Sequence, residues 1–460
     1  MIHETAIRGG TLVTPRGLVQ ADLGIAGGLI MAMGPDLRAA AEIDATGKLV
    51  IPGAVDPHVH LQMPAGAFTS SDNWTTGTIA AACGGTTTVI DFVEPDGQEL
   101  LPALAARRAE AEGQAAVDFG LHMTLCDARP ETLAQIPGVV AAGCPSFKTY
   151  LTYEGFKLGD AEFLLALSAV GAAGGIALVH AENDAMIGFE KRRLLAAGLT
   201  APRWHGAARP AAAEGEAVER ALALAEVAGC PLYVVHVSTR RGAEAVARAR
   251  SRGQDAWGET CPQYLLLTRD AYDLPGFEGA KFICSPPLRD ADDNAALWDG
   301  LAAGELDAVG TDHCPFLYEG QKDLGRRAGS ASLPSFDRVP GGMPGIELRL
   351  ALLYTFGVAA GRLSLERWVE VCCSAPARLF GLGGRKGVLA PGADADIVIF
   401  DPHREVTVSR GLLHERCDYT PYEGMQLTGY PELTLLAGRI IAAGGQFVGV
   451  AGGGRFLPGL

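Results

Sequence analysis

Eight apolar, β-branched runs recur through the middle of the chain, near residues 54–61, 86–92, 118–126, 145–151, 176–181, 232–238, 255–260 and 306–312. Between most of them lie stretches rich in Ala, Leu, Glu and Arg with helical spacing, such as 101–111, 161–172, 211–228 and 242–250. Short apolar runs that alternate with amphipathic helices specify strands joined by helical crossovers. Eight such units predict an α/β fold centred on a closed (β/α)8 TIM-type barrel. A doubly wound sheet is built from the same units but does not need eight of them.

The two ends have a different texture. Residues 11–14, 21–26, 29–33 and 48–51 read as short strands, with Gly27-Gly28 as a hairpin turn and Pro52-Gly53 as a stop. The same pattern returns at 396–400, 405–408, 432–436 and 439–443. This predicts one small β-sandwich domain assembled from both termini. The expected boundaries are 1–52 for its N-terminal part, 53–385 for the barrel, and 386–460 for its C-terminal part and a tail.

Apolar residues make up 48% of the chain and charged residues 20%, which fits a globular protein with a large core. The net charge of −15 argues against a nucleic-acid surface. Every apolar run is interrupted by Gly, Pro or a charge before it reaches membrane-spanning length. The first residues lack a basic stretch followed by an apolar one, so no secretion signal is expected. The ten cysteines form no Cys-x-x-Cys pair and read as reduced core residues of a cytoplasmic protein. Cys314 stands apart, because it follows Thr311-Asp312-His313.

In a (β/α)8 barrel the chemistry sits at the C-terminal ends of the strands. His58 and His60 close the first run, and residues two apart on a strand face the same way. Lys148 lies in the fourth run, His180 ends the fifth, His236 the sixth and Asp312 the eighth. Each has an ordinary explanation alone: a satisfied polar histidine, a snorkelling lysine, a capping aspartate. Together, at one end of one barrel, they read as a site. Four imidazoles, a carboxylate and a lysine exceed what one catalytic metal takes, but suit two divalent ions roughly 3.5–4 Å apart. Such a pair needs a bridging anion. A lysine desolvated in a barrel has a lowered pKa, and its neutral amine can add CO₂ to give a carbamate with an oxygen for each metal.

The chain resembles the hydantoinase and dihydropyrimidinase family of the metal-dependent amidohydrolases over nearly its whole length. The resemblance rests on Asp56-Pro-His-Val-His-Leu-Gln-Met-Pro64, Gly84-Gly-Thr-Thr-Thr-Val-Ile-Asp-Phe92, Ser146-Phe-Lys148, His180-Ala-Glu-Asn183 and His236-Val-Ser238. It continues in Gly258-Glu-Thr-Cys-Pro-Gln-Tyr-Leu265, Ser285-Pro-Pro-Leu-Arg289, Gly310-Thr-Asp-His-Cys-Pro-Phe316 and the run from Arg385 to Asp396. It implies that His58, His60 and Asp312 hold the more buried of two divalent ions, with zinc the expected metal. His180 and His236 would hold the other, and Lys148, carboxylated on its side-chain nitrogen, would bridge them. Water activated by both ions would attack a ring carbonyl. Asp312 would carry the proton to the leaving ring nitrogen, and Tyr153 would stabilise the oxyanion. Ser285 would contact the substrate amide. Gly341 stands where relatives commonly read Pro-Asn-Gly, and the glycine here adds backbone freedom.

The implied reaction is hydrolytic opening of a dihydropyrimidine or a 5-substituted hydantoin to an N-carbamoyl amino acid. Dihydroorotases carry an Arg two residues after the second His for a substrate carboxylate; Gln62 here fits a neutral ring. Met63, Phe68 and Phe156 fall where family loops line the side-chain pocket. Two other readings remain open on the sequence: an allantoinase, and a non-catalytic scaffold of the same fold. The family also implies a homotetramer acting on a small molecule.

Overall fold

The computed structural model describes residues 2–15, 17–324 and 334–459. Eight parallel strands pair in chain order: Ala54–Val59 (β1), Thr86–Val93 (β2), Asp118–Thr124 (β3), Ser146–Tyr150 (β4), Ile176–His180 (β5), Leu232–Val234 (β6), Ala256–Thr260 (β7) and Ala308–Val309 (β8). The sheet closes on itself. Val59 bridges His313 in parallel, and the His60 N–H donates to the His313 carbonyl at 2.9 Å. At the same seam the fully buried Arg349 donates to the carbonyls of Val55 on β1 (2.9 Å) and Val309 on β8 (2.7 Å). The expected barrel is therefore present. β2 is buried at every position, as a strand covered by helices on one side and barrel interior on the other must be.

The expected helices occur at Leu100–Ala111, Asp160–Ala172, Ala211–Ala228 and Arg240–Ser251. The last shows why the local sequence chooses this state. Thr239 caps it by accepting the Gly242 N–H at 3.0 Å. Ala243, Val246 and Ala249 share the buried face, and Arg248 and Arg250 fall in the last turn, where a cation suits the helix dipole.

Two further sheets involve the chain ends. One has the order Leu29–Gly34, Asp22–Ala26, His3–Arg8, Ala39–Asp44. The other has seven strands, in which Leu49–Pro52 from the N-terminal part pairs antiparallel with Ile397–Thr407 from the C-terminal part. Leu12, Ile25, Val50, Ile397 and Leu435 lie in the core that these sheets share. Lys386 ties them to the barrel, with its ammonium 2.7 Å from Asp118 on β3, 2.6 Å from Asp396 and 3.0 Å from Asp394. The last residues turn back to the barrel: the Phe119 N–H donates to Arg455 O at 2.9 Å, and the Leu457 N–H to Phe119 O at 2.7 Å. No described helix is long and apolar enough to cross a membrane.

Candidate active site

His58 and His60 point to one side of β1, their ring centroids 5.1 Å apart. Their Nε2 atoms lie 3.3 and 3.2 Å from Asp312 Oδ1. Across the mouth, the rings of His180 and His236 are 4.6 Å apart, and His236 is 5.4 Å from His58. Lys148 enters from β4, its Nζ 5.0 Å from the ring centroids of Phe92 and Tyr150. All six side chains are buried. Residues spread over 254 positions of sequence, from His58 to Asp312, thus meet at the C-terminal end of the barrel.

Two of them do not end a strand as the sequence predicts. The β6 ladder stops at Val234 and the β8 ladder at Val309. Beyond each, the backbone turns left-handed at the candidate residue: φ is +42° at His236 and +51° at Asp312. The His236 N–H leaves the ladder and donates to Glu259 Oε1 at 3.2 Å. Next to Asp312, the Thr311 N–H and hydroxyl donate to Asp56 at 3.1 and 2.7 Å. Gln62 (φ +53°) and Tyr153 (φ +77°) share this conformation. Non-glycine residues rarely adopt it, and three of these four, His236, Asp312 and Tyr153, line one cavity.

Buried acids set the orientation of the imidazoles. Glu259 Oε1 lies 2.7 Å from His58 Nδ1, and its Oε2 accepts the Tyr233 hydroxyl at 3.0 Å. With Nδ1 engaged, His58 turns Nε2 toward Asp312. Glu182 Oε2 lies 2.8 Å from His180 Nε2 and pairs with Arg209, which leaves Nδ1 of His180 as the other ring nitrogen. Burial pushes His58 and His236 well below the ordinary imidazole range and lowers His180, so all three favour the neutral form that can donate a lone pair. Burial also lowers Lys148 below the ordinary lysine range. Burial alone would raise Asp312, but the facing His58, His60 and Lys148 override it and hold this carboxyl below its ordinary value.

The donor set fits a divalent cation. His58 Nε2, His60 Nδ1 and His236 Nδ1 are buried without a hydrogen-bond partner, which interiors seldom tolerate. His58, His60 and Asp312 bring one ligand atom each to within 4.8 Å of one another.

Above these residues opens a cavity of about 490 Å³ whose wall includes His60, Lys148, His180, His236, Asp312, Tyr153, Ser285, Gly341 and Met63. His58 lies beneath the wall. Arg209 stacks over Tyr153, its guanidinium carbon 5.3 Å from the ring centroid, and burial pushes the phenol up to about 12, so it stays a donor. Phe156, Ile187 and Val339 add apolar surface to the wall. Phe68 does not reach this wall. Gln62 does not either: its Oε1 accepts the Trp74 N–H at 3.2 Å at the start of the following helix. The expected backbone freedom around Gly341 is limited by its neighbour. The Gly342 N–H donates to Ile283 O at 3.0 Å, and a Cβ there would fall 2.3 Å from Cys314 O. Cys314 is in the wall, but burial pushes its thiol well above the ordinary range, away from a reactive thiolate. The residues that sequence reasoning passed over are Glu259, Glu182 and Arg209. For the two glutamates the available signal was an acidic residue inside or just beyond an apolar strand; Arg209, which follows the helix Trp204–Ala208, had none.

The chain matches the Amidohydrolase family over residues 266–441 and the Dihydro-orotase-like family over residues 47–242. It is 44% identical to the D-hydantoinase of Streptomyces coelicolor, over 100% of this chain and 98% of that protein. It is 43% identical to a D-phenylhydantoinase of Escherichia coli, over 98% and 97%. The crystal structure of dihydropyrimidinase from Brevibacillus agri superimposes with a TM-score of 0.95 at 42% identity, covering 99% of this chain and 98% of that one.

Proposed function

Because the chain belongs to the hydantoinase and dihydropyrimidinase family of amidohydrolases, we propose that the cavity at the barrel mouth opens a 5-substituted hydantoin or a dihydropyrimidine by hydrolysis. The chain is a hydrolase of cyclic amides, and family membership brings a binuclear divalent-metal site. The observation that carries the reading is the meeting of six buried candidate ligands under a cavity whose wall also holds Tyr153 and Ser285.

In this reading His58, His60 and Asp312 would hold one cation, His180 and His236 the other, and Lys148, as N6-carboxylysine, would serve as a ligand to both. Two bound cations would supply a water made nucleophilic at neutral pH and a polarised carbonyl. The chain's own groups do the rest. Glu259 and Glu182 keep the imidazoles in a fixed tautomer and orientation. Asp312, held ionised, accepts a proton from the attacking water and returns it to the leaving ring nitrogen. Tyr153 donates its hydroxyl hydrogen to the carbonyl oxygen as charge grows there. Ser285 and the backbone at Gly341 orient the ring amide, and Met63 and Phe156 form an apolar seat for the ring substituent. The same reading assigns catalysis to 53–385 and a supporting β domain to 1–52 and 386–460. It takes zinc as the metal and a cytoplasmic homotetramer as the working form.

The test is a rate comparison across dihydrouracil, dihydrothymine, D- and L-5-substituted hydantoins and allantoin, with metal analysis of the same preparation. The expected result is turnover of D-5-aryl or alkyl hydantoins above allantoin, with about two zinc per chain. Turnover of allantoin alone, or a folded chain that binds no metal, contradicts it.

A further inference from the structure

Among the described residues, a second group of ligand-type side chains converges away from the barrel mouth: Cys83, Glu347 and His414. Cys83 closes the helix Trp74–Cys83, which feeds the N-terminal end of β2, whereas the imidazoles of the mouth stand at strand C-terminal ends. One atom from each residue lies within 4.8 Å of the others. His414 Nδ1 is 2.9 Å from Glu347 Oε1, and the His414 N–H donates to Glu347 Oε2 at 2.7 Å. Gly84 makes the approach possible, since a Cβ there would fall 2.2 Å from the Glu347 carbonyl oxygen.

We propose that Cys83, Glu347 and His414 form a separate binding site for a thiophilic divalent cation of the zinc and cadmium class. The chemistry of the trio selects that class. Sulfur, imidazole and carboxylate are the donor types zinc takes, and the sulfur disfavours magnesium and calcium. Thiolate and carboxylate together cancel the charge of a divalent ion, and the imidazole is neutral, so the complex places no net charge in the interior. Binding releases the thiol proton of Cys83 and one proton of the His414 imidazolium. Cys83 and Glu347 are each 1% exposed, while the His414 side chain is 22% exposed, which gives an ion a way in and leaves room for a water as fourth ligand. The three ligands come from a helix end, the turn before Arg349 and the 408–425 loop, so a bound ion would fasten three distant segments to one another.

The site is independent of the reading of the barrel mouth. The test adds cadmium to the metal-loaded enzyme and follows the thiolate-to-cadmium absorption in the ultraviolet, which ligands of the mouth, having no thiolate, cannot produce. Wild type should develop the band together with a rise in thermal midpoint. Cys83→Ala should lose the band while keeping its turnover, and His414→Asn should bind at least about tenfold more weakly. Alanine continues the run Ala80-Ala81-Ala82, so the first variant keeps the helix. A band that persists in Cys83→Ala, as binding at Cys314 would give, overturns the proposal. So does wild type without a band.

Discussion

Replacing Glu259 by Gln isolates what the buried carboxylate does for His58. Glutamine keeps the shape. Its carbonyl oxygen can accept from His58 Nδ1 and the His236 N–H, as Glu259 Oε1 does at 2.7 and 3.2 Å, and its amide can donate to the Tyr233 oxygen. The loss is therefore the acceptor's charge. Hydrogen bonds to a charged group contribute about 1.5–3 kcal/mol and neutral ones about 0.5–1.5 kcal/mol, so the His58 bond should weaken by about 1–2 kcal/mol. That corresponds to roughly five- to thirtyfold weaker metal retention. The assay is loss of metal to a chelator of known affinity, with turnover measured at saturating metal to show that the loaded site still works. Burial raises the Glu259 carboxyl above its ordinary range, which leaves a definite alternative. If the acid works in its neutral form, Gln is a faithful copy, and metal retention within about twofold of wild type refutes the charge argument.

Lys148→Ala should lose bridging and nearly all turnover, with partial rescue by short carboxylic acids; full turnover without rescue contradicts the bridging role. Asp312→Asn should still bind metal weakly but stall proton transfer, so kcat should fall far more than metal content; equal losses would place Asp312 in metal binding alone. Lys322 is fully buried and donates to the carbonyls of Ala280 (3.3 Å), Lys281 (3.4 Å) and Ile283 (2.7 Å), and burial lowers it from 10.5 to about 8. Its folded value lies below its unfolded one, so between them the unfolded chain binds more protons and stability rises with pH. Relative to Lys322→Met, wild type should gain on the order of 3 kcal/mol as pH climbs from about 8 to 10.5. Unfolding midpoints that run parallel for the two proteins across that window contradict the buried charge.

The barrel was legible because its strands are eight short apolar runs separated by helical stretches, and its helices repeat the apolar face seen in Ala243, Val246 and Ala249. The candidate ligands were legible because Lys148 sits inside such a run and the others at or just beyond the end of one. What the sequence hides is set by tertiary contact. His236 and Asp312 were expected to end strands, since nothing in Val-Val-His-Val-Ser or Val-Gly-Thr-Asp-His announces that Glu259 and Asp56 will capture the local N–H groups and turn the chain left-handed. The convergence of Cys83 with Glu347 and His414 spans 331 positions and has no local sign at all.

The supporting acids fall between these cases. The period of two that places His58 and His60 on one face of β1 also places Asp56 there, and it sets Glu182 two residues beyond His180. An ionised side chain in a buried strand is too costly to keep unless something pairs with it. Glu259 inside Ala256–Thr260 is therefore a demand for donors as much as His58 is a demand for an acceptor. Read as pairs that must satisfy each other, the imidazoles and the acids predict a shared, water-poor floor under the cavity. In that floor the choice of ring nitrogen offered to a cation is made by carboxylates that never touch it.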